Sequence, residues 1–354
     1  MGLFDRLKKK PARATVEPGG HRLEVAPGQK LLNAALDAGL DWPHDCRVGS
    51  CGTCRCRLLS GRIKPLGDFI YTLDAADIER GMILACQSLL KSDVVVEVEL
   101  GRRTDVTVEH YTGRIARMTA LTHDIVELVV TVGQPCFQDA LAGQYAELQT
   151  TAVALARSYS FARPPQCEQP GEVSFFIRHV PGGEFTDWLF AAPRIGERIE
   201  IAGPYGNFYQ RDGDGATLCV AGGSGLAPIK ALIEAGARAA CARDLHVYFG
   251  ARSQSDLYAL DEIETLGRAW DGQFSLTPVL SHEPADSDWH GARGLVTEAL
   301  AQAPADPATA QAYLCGPPAM IDAALPVLAQ LGIADTAIFF DKFEDASTQP
   351  RTGS

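Results

Sequence analysis

Apolar and polar positions alternate with a period of two over residues 20–29 (GHRLEVAPGQ), which predicts a strand ending in a turn at Pro27-Gly28. The next stretch, KLLNAALDA (30–38), sets Leu31, Leu32, Ala35 and Leu36 at helical spacing, and Gly39 closes the helix. A cysteine-rich loop follows, then a strand over 54–59 and a β-branched strand, DVVVEVEL, over 93–100. From 105 to about 210 the pattern is short strands punctuated by Gly and Pro: VTVEHYTGRIARM, IVELVVTV, QYAELQT, VSFFIRHV and RIEIAGP. That spacing predicts a small antiparallel barrel. From 215 the rhythm becomes strand, helix, strand, helix, beginning ATLCVAGGSG–APIKALIEAGARAA–LHVYFGAR and running to AYLCGPP. Such alternation predicts a parallel sheet with helices on both faces.

A chain of 354 residues is too long for one core. These rhythms divide it into an arm (1–18), a cysteine-rich domain (19–102), a barrel domain (103–211), an α/β domain (212–345) and a tail (346–354). The arm is basic and aperiodic, and it carries too little apolar surface for a stable membrane anchor. Residues 1–100 hold fourteen basic and thirteen acidic residues, so nearly all of the net charge of −12 lies in the remainder. An acidic body argues against nucleic acid as a partner. The N-terminus lacks the apolar stretch of a secretory signal, and no run is long enough to span a bilayer, so a cytoplasmic protein is expected; a monomer is expected as well. The eight histidines form no metal-binding pair or HExxH motif.

Five of the ten cysteines fall between 46 and 86. Cys46-x4-Cys51-x2-Cys54, with Cys86 far downstream, is the plant-type spacing for a [2Fe–2S] cluster. Gly49 and Gly52 let the loop wrap tightly enough for backbone amides to face sulfur. A zinc site would instead pair two short Cys-x2-Cys knuckles. Cys56 is surplus to the four ligands and reads as a small core residue.

This segment resembles the plant-type ferredoxin family over about residues 15–100, through Asp45–Cys54 and Leu84-Ala85-Cys86-Gln87. Arg157-Ser158-Tyr159-Ser160, alone, is four polar residues at a strand end. An arginine suits a pyrophosphate, a tyrosine an aromatic ring, a serine hydroxyl a ring nitrogen. Twenty residues on, Arg178-His179-Val180-Pro181-Gly182-Gly183-Glu184-Phe185-Thr186 places a glycine turn before a predicted helix, whose amides suit phosphate. Joined to Gly203-Pro204-x-Gly206, these words resemble the flavin domain of the ferredoxin–NADP reductase superfamily and imply FAD. Gly222-Gly223-Ser224-Gly225, entered from a strand, suits a dinucleotide pyrophosphate or merely a tight turn. With Cys315-Gly316-Pro317-Pro318-Ala319-Met320 it resembles the nicotinamide-nucleotide domain of the same superfamily, which implies Cys315 near the nicotinamide. The run Phe339–Phe343 reads as a last core strand, and the resemblance makes Phe343 the candidate aromatic over the flavin.

The resemblance therefore implies a multidomain α+β and α/β protein: a β-grasp-type plant ferredoxin, an antiparallel FAD-binding β-barrel and a parallel-sheet nucleotide-binding domain. It implies a one-chain reductase of bacterial oxygenase systems, with catalytic roles for Ser160, Cys315 and Phe343, passing electrons from the nicotinamide through FAD and the cluster to a partner oxygenase or hydroxylase. Arg252 stands alone after the second strand of the α/β domain, with Asp256 nearby, which favours NADH over NADPH. Arg47, Arg55, Arg57, Arg62 and Lys64 read either as scattered solvated residues or as a basic collar near the cluster that would steer an acidic partner. Two other readings stay open: a stand-alone iron–sulfur flavoprotein reductase of a small-molecule or cofactor-bound intermediate, and a non-enzymatic redox sensor or electron carrier.

Overall fold

The alternation in ARATVE buries Ala14 and Val16 completely and forms strand β1 (Ala12–Glu17). In the computed structural model, residues 11–44, 49, 52–66, 69, 72–73, 75–98, 100, 108–133, 136–153, 156–165 and 171–343 are described. Strand β1 corrects the reading of 1–18 as an arm: Pro and basic residues drew attention from a two-residue period just long enough for one strand. Residues 1–10, the linker near 101–103 and the tail from 346 lie outside the described residues. The chain separates into two compact units, Met1–Val106 and Thr107–Ser354.

In the first unit β1 pairs antiparallel with β2 (His21–Val25), and α1 (Leu31–Asp37) buries Leu31, Leu32, Ala34 and Ala35. β3 (Arg55–Ser60), β4 (Ile63–Pro65), α2 (Ala75–Glu79), β5 (Met82–Leu84), β6 (Ser88–Leu90) and β7 (Val94–Glu97) complete it. The main sheet has the order β2-β1-β7-β3-β5, with β1 and β7 parallel at its centre. A mixed sheet carrying one helix on its inner face is the β-grasp arrangement expected. The short strands β4 and β6 pair separately and had no sequence signal long enough to detect.

The second unit opens with an antiparallel sheet of β8 (Glu109–Ala120), β9 (Ile125–Thr131), β10 (Tyr145–Gln149), β11 (Arg157–Ser160), β12 (Glu172–Arg178) and, after α3 (Glu184–Ala191), β13 (Arg198–Tyr205). Its order is β11-β10-β13-β8-β9-β12, and the bridge Phe161↔Phe175 joins the two edges into a barrel. The interior is apolar, with Phe137, Phe161 and Phe175 wholly buried and ring centroids about 5 Å apart.

A parallel sheet follows: β14 (Thr217–Gly222), α4 (Leu226–Arg238), β15 (Leu245–Ala251), α5 (Leu260–Arg268), β16 (Phe274–Leu280), β17 (Ala292–Arg293), α6 (Val296–Leu300), β18 (Gln311–Gly316), α7 (Pro318–Gln330) and β19 (Ile338–Lys342). Every residue of β14 is buried, as a central strand covered on both faces requires. The sheet order is β17-β16-β15-β14-β18-β19. The chain thus steps outward from β14 to β17, then returns to lay β18 on the other side of β14. Open α/β sheets bind ligands at such a reversal, outside the carboxyl ends of the strands, which here are those of β14 and β18.

Candidate functional site

Cys54 and Cys86 lie on adjacent segments because β3 pairs with β5 in the register Arg55↔Leu84, and Ala85 donates its amide to the Cys54 carbonyl at 3.2 Å. Both cysteines are buried. Cys46 and Cys51 lie outside the described residues, whereas Gly49 and Gly52 beside them are described. Gly49 has φ +99° and Gly52 φ +73°, and a side chain at Gly49 would strike Gln87 at 2.6 Å. Gln87 follows Cys86, so Gly49 lies close to the segment that carries Cys86. Donor type and tight loop fit an iron–sulfur cluster. Cys56 sits in the core, 1% exposed, opposite Ile83.

The basic collar is less open than the sequence suggested. Arg57 pairs with Glu97 at 2.6 Å, and Arg55 shares Asp77 with Arg80. Arg62 and Lys64 make no ion pair among the described residues, and Arg47 lies outside them.

In the barrel, β11 pairs with β10 as Tyr145↔Ser160, Ala146↔Tyr159, Glu147↔Ser158 and Leu148↔Arg157. Alternation turns Arg157 and Tyr159 to one face, Ser158 and Ser160 to the other. The Tyr159 ring leans on Phe185, centroids 5.3 Å apart, and burial pushes its hydroxyl above the ordinary phenol range against the opposing pull of Arg157. Phe185 is itself 1% exposed, so its ring supports Tyr159 from within the core and only its amide is available to a ligand. Ser160 is buried, and its hydroxyl has no side-chain hydrogen bond among the described residues.

Downstream, the polypeptide bends at Gly182 (φ +81°), and a Cβ on Gly183 would lie 2.8 Å from Thr186 Oγ1 and 2.9 Å from the Val180 carbonyl. Thr186 Oγ1 donates to Val180 O (3.0 Å) and accepts from Val180 N (3.2 Å). Asp187 accepts from Gly182 N and His179 Nε2. The His179 ring stacks on Phe190 at 4.9 Å. Thr186 and His179 therefore shape the loop rather than standing free. Arg178 is held by Asp124, Nε to Oδ2 at 2.9 Å. Burial would raise the Asp124 pKa, but hydrogen bonds from Arg178 and Thr122 outweigh it and hold the carboxyl below its usual range. The first-turn amides of α3 have no helical partners. A glycine turn whose space a side chain would fill, opening onto such amides, fits a flavin pyrophosphate.

At the sheet's carboxyl edge, Gly223 has φ +55° and open space where a Cβ would be. A Cβ on Gly225 would lie 2.2 Å from the Cys315 carbonyl, and one on Gly222 would lie 2.7 Å from Met320 Sδ. These glycines let α4 begin directly against β18 and α7. Ser224 lies in the same turn, half-buried. The two sequence words thus meet: Ala221↔Cys315 across β14 and β18, with Pro317 capping α7. The Cys315 thiol is buried, and burial followed by the nearby Asp341 carboxylate pushes its pKa well above the ordinary thiol range, so it stays neutral. Phe343 donates its amide to Gly316 O at 2.8 Å, at this same edge. Phe339 instead stacks on Tyr313 at 5.1 Å.

Sequence reasoning missed two residues here. Asp341, 8% exposed, lies cross-strand from Cys315 and was hidden within an aromatic run. Tyr258 donates to the Gly223 carbonyl at 2.9 Å while its ring meets Phe176 of the barrel (5.5 Å) and Phe249 of β15 (5.6 Å). No local sequence word marks it. Arg252 is exposed beyond β15; Asp256 beside it accepts from Ser253 and lies 3.4 Å from His123. Gln254 donates to Glu283 and to Asp288.

Three family models match the chain: a 2Fe-2S iron-sulfur cluster binding domain over 14–91, an oxidoreductase FAD-binding domain over 112–209 and an oxidoreductase NAD-binding domain over 219–325. The xylene/toluene monooxygenase electron transfer component of Pseudomonas putida is 41% identical over 346 residues, covering 97% of this chain and 96% of the relative. The naphthalene 1,2-dioxygenase system ferredoxin–NAD(P)+ reductase component of the same species is 33% identical, covering 93% and 97%. Among solved structures, the Amycolatopsis cytochrome P450 reductase GcoB superposes with a TM-score of 0.78 at 31% identity, covering 94% of this chain and 98% of that one. No helix among the described residues is long and apolar enough to cross a membrane.

Proposed function

The chain belongs to the reductase components of bacterial oxygenase systems, and from that premise we propose how its residues divide the work of moving electrons from NADH to a partner oxygenase. It is an oxidoreductase with iron–sulfur, FAD-binding and NAD-binding domains. When bound, the nicotinamide supplies a two-electron hydride, the flavin accepts it, and the cluster passes single electrons onward.

The chain's part is placement. Tyr159 stacks on the flavin ring, and Ser160 offers a hydrogen bond near the reactive nitrogen. Arg157, Ser158 and the Arg178–Thr186 turn hold the rest of the FAD, with Gly182, Gly183 and the amides of α3 at its phosphates. Gly222, Gly223, Ser224 and Gly225 take the pyrophosphate of the nicotinamide nucleotide at the N-terminus of α4. Cys315, Gly316, Pro317 and Met320 line the nicotinamide end. Phe343 covers the flavin until the nicotinamide displaces it. A neutral Cys315 thiol adds no charge beside the nicotinamide. Cys46, Cys51, Cys54 and Cys86 hold the cluster, and the partner docks on the unit that carries them, in the cytoplasm, to a monomeric reductase.

NADH is the favoured donor. Glu283 and Asp288 accept from Gln254 beyond β15, Asp256 accepts from the neighbouring Ser253, and hydrogen bonds from Gln254 lower the Glu283 pKa, so it is ionised at neutral pH. A 2′-phosphate there meets negative charge, against the single Arg252.

The observation that carries the reading is the meeting of both sequence words at the topological switch point, in one compact unit with the barrel. NADH-driven reduction of ferricyanide and of the partner oxygenase tests it. In a Cys86→Ser variant, ferricyanide reduction persists while delivery to the oxygenase is lost. Equal loss of both, with FAD still bound, contradicts the division of labour.

A further inference from the structure

Lys230 is 1% exposed on α4, one turn beyond the Gly222–Gly225 turn. Its ammonium leaves the nucleotide half and donates to the Ala162 carbonyl of the barrel at 3.3 Å. Ala162 stands two residues beyond Ser160, and its own amide is fixed on Ser174 O at 2.8 Å. Two carboxylates complete the ammonium's surroundings: Glu262 of α5 at 2.9 Å and Glu234 of α4 at 3.3 Å. Each has a second cation. Arg163, next to Ala162, reaches Glu262 at 3.2 Å, and Arg238 reaches Glu234 at 2.5 Å.

A buried ion pair is a poor way to stabilise a fold, because desolvating the charges offsets most of their attraction. It is a good way to fix distance and direction, since an ammonium with three acceptors tolerates little displacement. Here the fixed distance runs between the strand of Ser160 and the helix that begins at the dinucleotide turn.

We propose that Lys230 is a positioning residue for hydride transfer: it ties Ala162 of the flavin-binding barrel to α4 and so sets the separation of nicotinamide and flavin. The inference rests on the reading of β11 and the glycine turn given above.

Lys230→Met tests it in the FAD- and cluster-loaded protein. Glu234 keeps Arg238 and Glu262 keeps Arg163, so neither carboxylate is stranded. Expected are an unchanged FAD content, a Tm within a few degrees of wild type, and NAD+ affinity within about twofold. The limiting rate of flavin reduction by NADH in stopped flow falls roughly ten- to a hundredfold, the scale on which about 1 Å of misplacement acts. The long-wavelength charge-transfer absorbance between nicotinamide and flavin weakens in parallel. A limiting rate and charge-transfer band equal to wild type overturn the proposal, whatever happens to Tm. If Lys230→Met does not accumulate folded, Glu262→Gln carries the test at a half-exposed carboxylate. A slower limiting rate with NAD+ affinity held supports the proposal, and an unchanged one overturns it. Failure of the wild-type protein to pass hydride from NADH to its flavin would instead sink the underlying functional reading.

Discussion

The Tyr258 hydroxyl donates to the Gly223 carbonyl, and its ring spans from Phe249 to Phe176. Tyr258→Phe keeps the ring and removes only that bond, leaving a carbonyl unmatched at the dinucleotide turn. With one hydrogen bond contributing about 1 kcal/mol, KM for NADH is expected to rise roughly fivefold while FAD content holds. An unchanged KM would show that the turn keeps its shape without Tyr258. Ser160→Ala is expected to slow flavin reduction with FAD still bound, because its buried hydroxyl serves no other side chain among the described residues; normal stopped-flow reduction in that variant contradicts the role. Residues differed in how legible they were. Cys315 stood out because its neighbours form a distinctive word. Asp341 and Tyr258 did not, because their importance comes from strand register and from a contact across the barrel–sheet boundary, which no local spacing encodes.

Among the elements, the glycine turns bear most directly on function. Gly225 begins α4 against the Cys315 carbonyl, so Gly225→Ala forces backbone apart; it is expected to destabilise by about 1–3 kcal/mol or more and to weaken NADH binding. At Gly222 the added methyl meets the flexible Met320 side chain, so Gly222→Ala is expected to be milder. Thermal unfolding of the two variants side by side checks the order; equal shifts would mean that α4 can move away from β18. The α/β elements were readable in sequence because buried parallel strands and amphipathic helices alternate over long stretches. β1 was not, since six residues bounded by Pro11 and Pro18 resemble a tether until β7 is laid beside them. Arg57 likewise looked free for docking until pairing placed it across from Glu97 on β7.

For the whole molecule, the first hundred residues are near neutral and the remainder carries nearly all of the net negative charge. With Arg55 and Arg57 paired, Arg62 and Lys64 are the residues of the proposed collar that make no ion pair among the described residues, and the proposed steering towards an acidic acceptor is tested on them. Replacing both with Ala is expected to slow electron delivery a few-fold at low ionic strength and to leave it near wild type at high salt, where the Debye length shrinks to about 3 Å at 1 M. Equal rates at both would remove the charged docking surface. The order of the modules themselves is tested most directly by anaerobic titration with NADH, following flavin absorbance and low-temperature electron paramagnetic resonance together. The expected result is loss of flavin absorbance accompanied by the signal of a reduced [2Fe–2S] cluster. Flavin that NADH does not reduce, or a reduced flavin beside a cluster that stays oxidised, would contradict an internal path from nicotinamide to iron–sulfur centre.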